Sequence, residues 1–240
     1  MNNIKNIKII KSPSLIEKTE GVLLEYLISG NIEANSYLPS EAELCERLGV
    51  GRTTLREAVK GLESKGFVRR RHGKGMQVVD ESHRAASESL QLLLKRKKAS
   101  VRELLEVRRI VETQATALAA ERATPEQLED LRKTLAALQS HGTSTKADIK
   151  ADLNFHLAIA GATNNVLIRL IFETIRPFLE KTIISCLRVA PKNELTREYH
   201  KKVLEAIESR DPQKAAAAIL EHLKGTEEML RDAGDDEYLM

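Results

Sequence analysis

The sequence predicts a mainly α-helical chain, an N-terminal winged helix-turn-helix followed by an all-α helical bundle. Three observations carry that reading. Aromatic residues make up 3% of the chain and Trp is absent, so the core is expected to be Leu, Ile, Val and Ala packed between helices, which disfavours a β-sandwich. Apolar residues recur at three- and four-residue spacing over most of the chain. The period changes only near residues 67–79, where Phe67-Val68 and Met76-Gln77-Val78-Val79 flank His72-Gly73-Lys74-Gly75, the pattern of a β-hairpin. At 240 residues two domains are expected. The polar stretch Asp80-Glu81-Ser82-His83-Arg84 is read as the linker, dividing a first domain at 12–80 from a second at 85–231.

A first helix is predicted from Ser14 to Ser29, where Leu15, Val22, Leu23 and Leu27 repeat and Gly30 stops the run. Ser40 opens a second, with Glu43 three residues on as a capping box, and Gly49 ends it. A third runs from Arg52 to Lys65 and closes at Gly66. Two short helices across a Gly-containing turn make a helix-turn-helix, and the hairpin is its wing. Further helices are predicted near 85–97, 101–122, 125–140, 146–162, 165–189, 193–209 and 212–231. Ser100 with Glu103, Thr124-Pro125 and Asp211-Pro212 mark helix starts, and Pro177 is expected to kink the helix that contains it.

No run of about 18 apolar residues occurs, and Met1 to Lys11 carries three lysines without the apolar run of a signal peptide. A soluble cytoplasmic protein with no membrane partner is expected. Cys45 and Cys186 lie far apart with no CxxC spacing, which signals neither a disulfide framework nor a Cys-based zinc site.

The formal net charge is +3, and residues 1–80 hold 13 Lys and Arg against 10 Asp and Glu, whereas the remainder holds 25 of each. Lys65, Arg69, Arg70, Arg71 and Lys74 form a run without an acidic residue, the footprint expected where phosphates are neutralised. A solvated charge run is the plainer reading of the same residues. Arg52, Thr53, Thr54 and Arg56 occupy the first turn of the third helix, the end that carries outward-pointing N–H groups and a positive dipole and that enters a major groove. Arg can make two hydrogen bonds to guanine, while Thr suits a phosphate oxygen or a thymine methyl.

In the helix at 101–122, Val101, Leu104, Val111, Ala115 and Leu118 form an inward stripe that also contains Arg108. An unpaired guanidinium there is very costly, so it is expected either to pair with Glu112 one turn on or to meet an anion bound between helices. Asp152 and His156 project from one face of their helix, beside Ile149 and Ile159. His200 shares a face with Val203 and Ile207, and His222 with Ala218 and Met229. Three inward histidines and an aspartate are the ingredients of a divalent metal site, although each could equally be a satisfied core residue.

Residues 12–80, through Leu38-Pro39-Ser40-Glu41-Ala42-Glu43-Leu44, Leu48-Gly49-Val50-Gly51-Arg52-Thr53-Thr54-Leu55-Arg56-Glu57-Ala58, Leu62-Glu63-Ser64-Lys65-Gly66-Phe67-Val68 and His72-Gly73-Lys74-Gly75, resemble the GntR family of bacterial regulators. That resemblance implies double-stranded operator DNA as partner, with contacts from Arg52, Thr53, Thr54 and Arg56 and minor-groove contacts from His72 and Gly73. Many relatives carry Arg where this chain has Ala42, so a contact there is not carried over. Residues 85–231 resemble the FCD ligand-binding domain of the FadR-type branch through Arg108-Arg109-Ile110-Val111-Glu112, Leu118 to Thr124, Asp152/His156, His200 and His222. This implies an all-α bundle that forms a homodimer and binds a small carboxylate effector such as a sugar acid or hydroxy acid. It also implies Asp152, His156, His200 and His222 as ligands of a divalent metal ion, and Asn165 as a recurrent position assigned with Arg108 to the effector. Zinc suits these ligands first, with manganese, nickel or iron also acceptable.

The function expected is a metabolite-responsive repressor of a catabolic operon, released by a small organic or sugar acid. A metal-sensing repressor is the first alternative. A metal-dependent hydrolase is the second, weakened because no general base accompanies the ligands and because catalysis would leave the Arg52 to Arg56 helix unexplained.

Overall fold

The computed structural model describes residues 13–30, 32–33, 35–140, 146–189 and 194–232. The lysine-bearing stretch from Met1 to Lys11, residue 12 and the helix start expected at residue 193 lie outside the described residues. The fold is mainly α: among the described residues there are ten helices and one two-stranded antiparallel sheet. The chain divides into two compact units, Met1–Ala85 and Ala86–Met240.

In the first unit, helix α1 (Leu15–Ile28) begins in a complete capping box, with Ser14 accepting from the Glu17 N–H and Glu17 accepting from the Ser14 N–H. Helix α2 (Glu41–Leu48) is capped by Ser40, which accepts from the Glu43 N–H at 3.2 Å. The reciprocal half of the box expected there does not form, because the Glu43 carboxylate turns to Arg47 at 2.6 Å. Gly49, at φ 63°, ends α2 in the left-handed region, and α3 (Arg52–Ser64) follows after two residues. Leu55, Ala58, Val59 and Leu62 bury one face of α3 completely. Strands β1 (Val68–Arg71) and β2 (Gly75–Val78) pair antiparallel, Val68 opposite Val78 and Arg71 opposite Gly75. The segment before α2 adds a short third pairing, with the Leu38 N–H donating to the Met76 carbonyl at 2.8 Å. Leu23, Leu27, Leu38, Leu44, Met76 and Val78 close the core beneath the two helices and the wing.

The linker expected at 80–84 is helical from its third residue, since α4 spans Ser82–Lys97. Its polar composition resembles a loop, yet these groups are paired: the carboxylate of Glu81 takes the guanidinium groups of both Arg69 and Arg84, and the Arg84 N–H donates to the Glu81 carbonyl at 2.9 Å.

In the second unit α5 (Val101–Arg122) and α6 (Pro125–Ser140) span the residues expected of them. Helix α7 (Lys146–Ala162) does so as well; α8 (Val166–Val189) and α10 (Pro212–Asp232) differ by one residue at one end, and α9 (Glu194–Glu208) by one residue at each end. Pro177 lies inside α8 and removes one backbone donor from it. Helix α5 packs along α10 and α7, and α7 in turn contacts α6 and α8. Ala119, Leu131, Phe155, Ile159, Val203, Ile207, Ile219 and Leu223 make the largest core cluster, and Ala115, Leu153, Phe172 and Leu179 another. The polar residues described next lie among these apolar layers.

Candidate metal centre and nucleic-acid interface

Three helices aim polar side chains at one place in the second unit. Asp152 and His156 come from successive turns of α7, His200 from α9 and His222 from α10. His156, His200 and His222 are 1%, 0% and 4% exposed, and one ring nitrogen from each lies within 4.8 Å of the other two. Asp152 stands beside this triad, its Oδ1 3.4 Å from His156 Nε2 and 3.6 Å from His200 Nε2. The His200 Nδ1 lies 2.7 Å from the Thr196 carbonyl, which can only accept; Nδ1 therefore carries a proton, and Nε2 is the nitrogen turned toward Asp152.

Among the described residues no well-aligned hydrogen-bond partner reaches His156 Nε2, His200 Nε2 or His222 Nδ1. Leaving a buried polar atom unsatisfied costs about 1–3 kcal/mol, so three in one place mark a spot that needs an occupant. A divalent cation fits: three imidazole nitrogens and one carboxylate are a donor set for zinc or its neighbours.

The electrostatics agree with a ligand set. Burial lowers the His222 pKa, the nearby His200 and His156 lower it further, and the ring is neutral at pH 7. Burial pushes the Asp152 carboxyl up, but His200 and His156 outweigh it and hold the group ionised, well below the usual range. Burial alone would lower His156; the Glu112 carboxylate and Asp152 reverse this and raise it to about 9, so a metal must displace a firmly held proton.

Arg108 is 2% exposed and finds the partner one turn along its own helix, its Nε donating to Glu112 Oε1 at 2.5 Å, while a terminal nitrogen donates to Thr182 Oγ1 at 3.1 Å. It also lines a small cavity together with Asp152, His156, His222, Thr182 and Cys186. That cavity offers only about 20 Å³, room for one water or ion and not for a multi-atom acid. Asn165 is absent from its lining: its side-chain oxygen accepts from the Leu167 and Ile168 N–H groups at 2.9 and 3.3 Å and so caps the start of α8. In this structure the role on view for Asn165 is that of a helix cap. Glu112 is the residue that sequence reasoning undervalues, because its closeness to His156 depends on how α5 packs against α7.

In the first unit Arg52, Thr53 and Arg56 are exposed and Thr54 is half-buried, all on the first turns of α3. The cap residue is Gly51, which offers no side-chain acceptor, and no acidic residue sits in the first turn. The leading N–H groups of α3 are therefore left open, as an anion-binding helix end requires. Arg56 donates through Nε to Glu41 on α2 at 3.0 Å, and the same carboxylate takes Arg70 of β1 at 3.3 Å. Arg70 also reaches Glu63 at 3.3 Å, so one network joins α2, α3 and the wing. His72 and Gly73 are exposed at the wing tip, where Gly73 has φ 71°.

Residues 15–78 match the family of bacterial regulatory proteins called gntR, and residues 103–225 match the FCD domain. The HTH-type transcriptional regulator LutR of Bacillus subtilis is 30% identical over 207 residues, which cover 84% of this chain and 94% of that protein. A putative L-lactate dehydrogenase operon regulatory protein of Escherichia coli is 30% identical over 216 residues, covering 86% of this chain and 83% of that protein. Among solved structures, a GntR protein of Streptococcus agalactiae aligns with a TM-score of 0.69 at 26% identity, covering 89% of this chain and 99% of that one.

Proposed function

This chain belongs to the GntR family of bacterial transcriptional regulators and carries the FCD domain, and from that premise we propose that it is a repressor of a catabolic operon, released by a small organic acid. Residues 12–80 bind double-stranded operator DNA, and residues 85–231 form the homodimer and sense the effector. Arg52, Thr53, Thr54 and Arg56 meet the major groove and His72 and Gly73 the minor groove. Asp152, His156, His200 and His222 hold one divalent ion, zinc first among the candidates. An ion held there would supply a positive centre for a carboxylate or α-hydroxyl, and Arg108 would grip further oxygens.

The observation that carries this reading is the set of three buried imidazole nitrogens that have no hydrogen bond among the described residues, beside a cavity that Arg108 also lines. The name of the Escherichia coli relative points toward a hydroxy acid such as L-lactate as the first effector to try. Because the cavity is too small for such a molecule, its entry requires the walls to part, and that differential fit is what a ligand needs to shift DNA affinity. Operator affinity measured with and without saturating L-lactate, uronic acids and related acids tests the proposal. Weaker operator binding in the presence of one acid supports it, and affinity indifferent to every acid in the panel counts against it.

The small cavity also favours a second reading, in which the ion itself is the signal. Operator release by zinc alone, with no acid present, separates the two.

A further inference from the structure

Two buried contacts meet on one carboxylate. Arg108 Nε donates to Glu112 Oε1 at 2.5 Å, and Glu112 Oε2 lies 2.7 Å from His156 Nδ1. Arg108 and Glu112 are 2% exposed and His156 1%, so no bulk water competes for either contact. The second contact is bent, since the ring N–H direction does not point straight at the oxygen. Even so, two lone pairs do not approach to 2.7 Å in a dry site without a proton between them, so Nδ1 carries that proton. The other nitrogen, Nε2, then faces Asp152 and is the one left to bind a metal once it gives up its proton.

Resting on the reading that His156 is a metal ligand, we infer that Glu112 is a positioning residue that fixes the metal-binding tautomer of His156, and that Arg108 orients Glu112 for the task. The reason is a count of acceptors. A carboxylate has two acceptor oxygens, one for the guanidinium and one for the ring N–H. Both oxygens of Glu112 are engaged in this way, Oε1 by Arg108 Nε at 2.5 Å and Oε2 by His156 Nδ1 at 2.7 Å. Glutamine has one acceptor and one donor. With its oxygen taken by Arg108, its NH2 group faces His156 Nδ1 and drives the proton onto Nε2, where it competes with the metal. Once the guanidinium is gone, the same glutamine can turn its oxygen to the ring and restore the original tautomer.

That logic yields a rescue that a purely structural role for Glu112 does not. Zinc affinity is measured by competition with a chromogenic chelator for the parent, Glu112→Gln, and the double variant Glu112→Gln with Arg108→Met. The single variant is expected to lose about 10- to 100-fold, as for other partners of metal-bound histidines, and the double variant to regain most of that loss. A single variant indistinguishable from the parent, or a double variant no tighter than the single, overturns the inference. Imidazole 15N shifts of metal-free parent protein, followed as pH is raised until the ring is neutral, give a readout that needs neither zinc nor a variant. A proton on His156 Nδ1 supports the role of Glu112, and a proton on Nε2 overturns it. A parent that binds no zinc removes the metal reading, while these shifts still decide on Glu112.

Discussion

Gly66 and Glu81 meet backbone to backbone: the Glu81 N–H donates to the Gly66 carbonyl at 2.9 Å, and a Cβ on Gly66 would overlap the Glu81 carbonyl group. Gly66 also ends α3 at φ 78°, so both space and conformation demand glycine at the junction of α3, β1 and the start of α4. Gly66→Ala is expected to destabilise the first unit by at least about 1–2 kcal/mol, the cost of the left-handed conformation, with the clash adding to it. Gly73→Ala is the control, because its φ is 71° but nothing lies within 4 Å of the new Cβ. Thermal melts in which Gly66→Ala is no worse than Gly73→Ala would show the close approach to be unimportant.

Arg52→Ala and Arg56→Ala are each expected to weaken specific operator binding by about 1–3 kcal/mol for every base the side chain no longer reads. The present partner of Arg56 is little obstacle, since an ion pair this exposed contributes about 0–1 kcal/mol. Unchanged affinity of both variants in gel-shift titrations would remove α3 from the groove.

Glu41 holds Arg56 and Arg70 at once, so Glu41→Gln frees two guanidinium groups and removes a negative charge from the surface proposed to face DNA. The expected outcome is tighter non-specific binding with a steeper dependence on salt, and reduced discrimination between operator and random DNA. A salt series showing the parent's slope would contradict it.

The pH dependence of the metal site follows from His156. Its pKa is raised in the folded, metal-free protein to about 9, so its protonated pairing with Glu112 and Asp152 stabilises fully below the ordinary value of 6.5 and is lost as pH rises through about 9. The melting temperature of metal-free protein is therefore expected to fall across that window. Zinc affinity moves the opposite way, rising with pH as the ring gives up its proton. Calorimetry in buffers of different ionisation enthalpy counts the protons released, and none released at pH 7 would be inconsistent with a protonated His156.

Much of this is legible in the sequence because local signals and burial agree. Ser100 with Glu103, and Pro125, set the starts of α5 and α6 where expected, and Gly49 and Gly66 both take the left-handed conformations their positions imply. The inward placement of His156, His200 and His222 is readable from their apolar neighbours at helical spacing. Their convergence is not, because it depends on how α7, α9 and α10 pack. Glu112 looks like a simple partner for Arg108, since periodicity shows the i to i+4 neighbour and hides the residue across the helix interface. Asn165 is ambiguous in the sequence, because a polar residue between helices serves a cap as readily as a ligand, and the structure shows the cap. The stretch 82–84 misleads because its polar composition suggests a loop, when ion pairs at Glu81 anchor a helix start there.

The most direct measurement is the metal content of the purified protein beside that of His200→Ala, read with the melting temperature of each. His200 is fully buried, its Nε2 has no hydrogen bond among the described residues, and an ion that binds only the folded state adds about 3 kcal/mol when present at a hundredfold excess over its Kd. One divalent ion per chain in the parent, little in the variant, and a lower melting temperature that added metal no longer raises are the results expected. A parent free of stoichiometric metal, melting and binding operator just as the variant does, would contradict the assignment of these histidines to a metal.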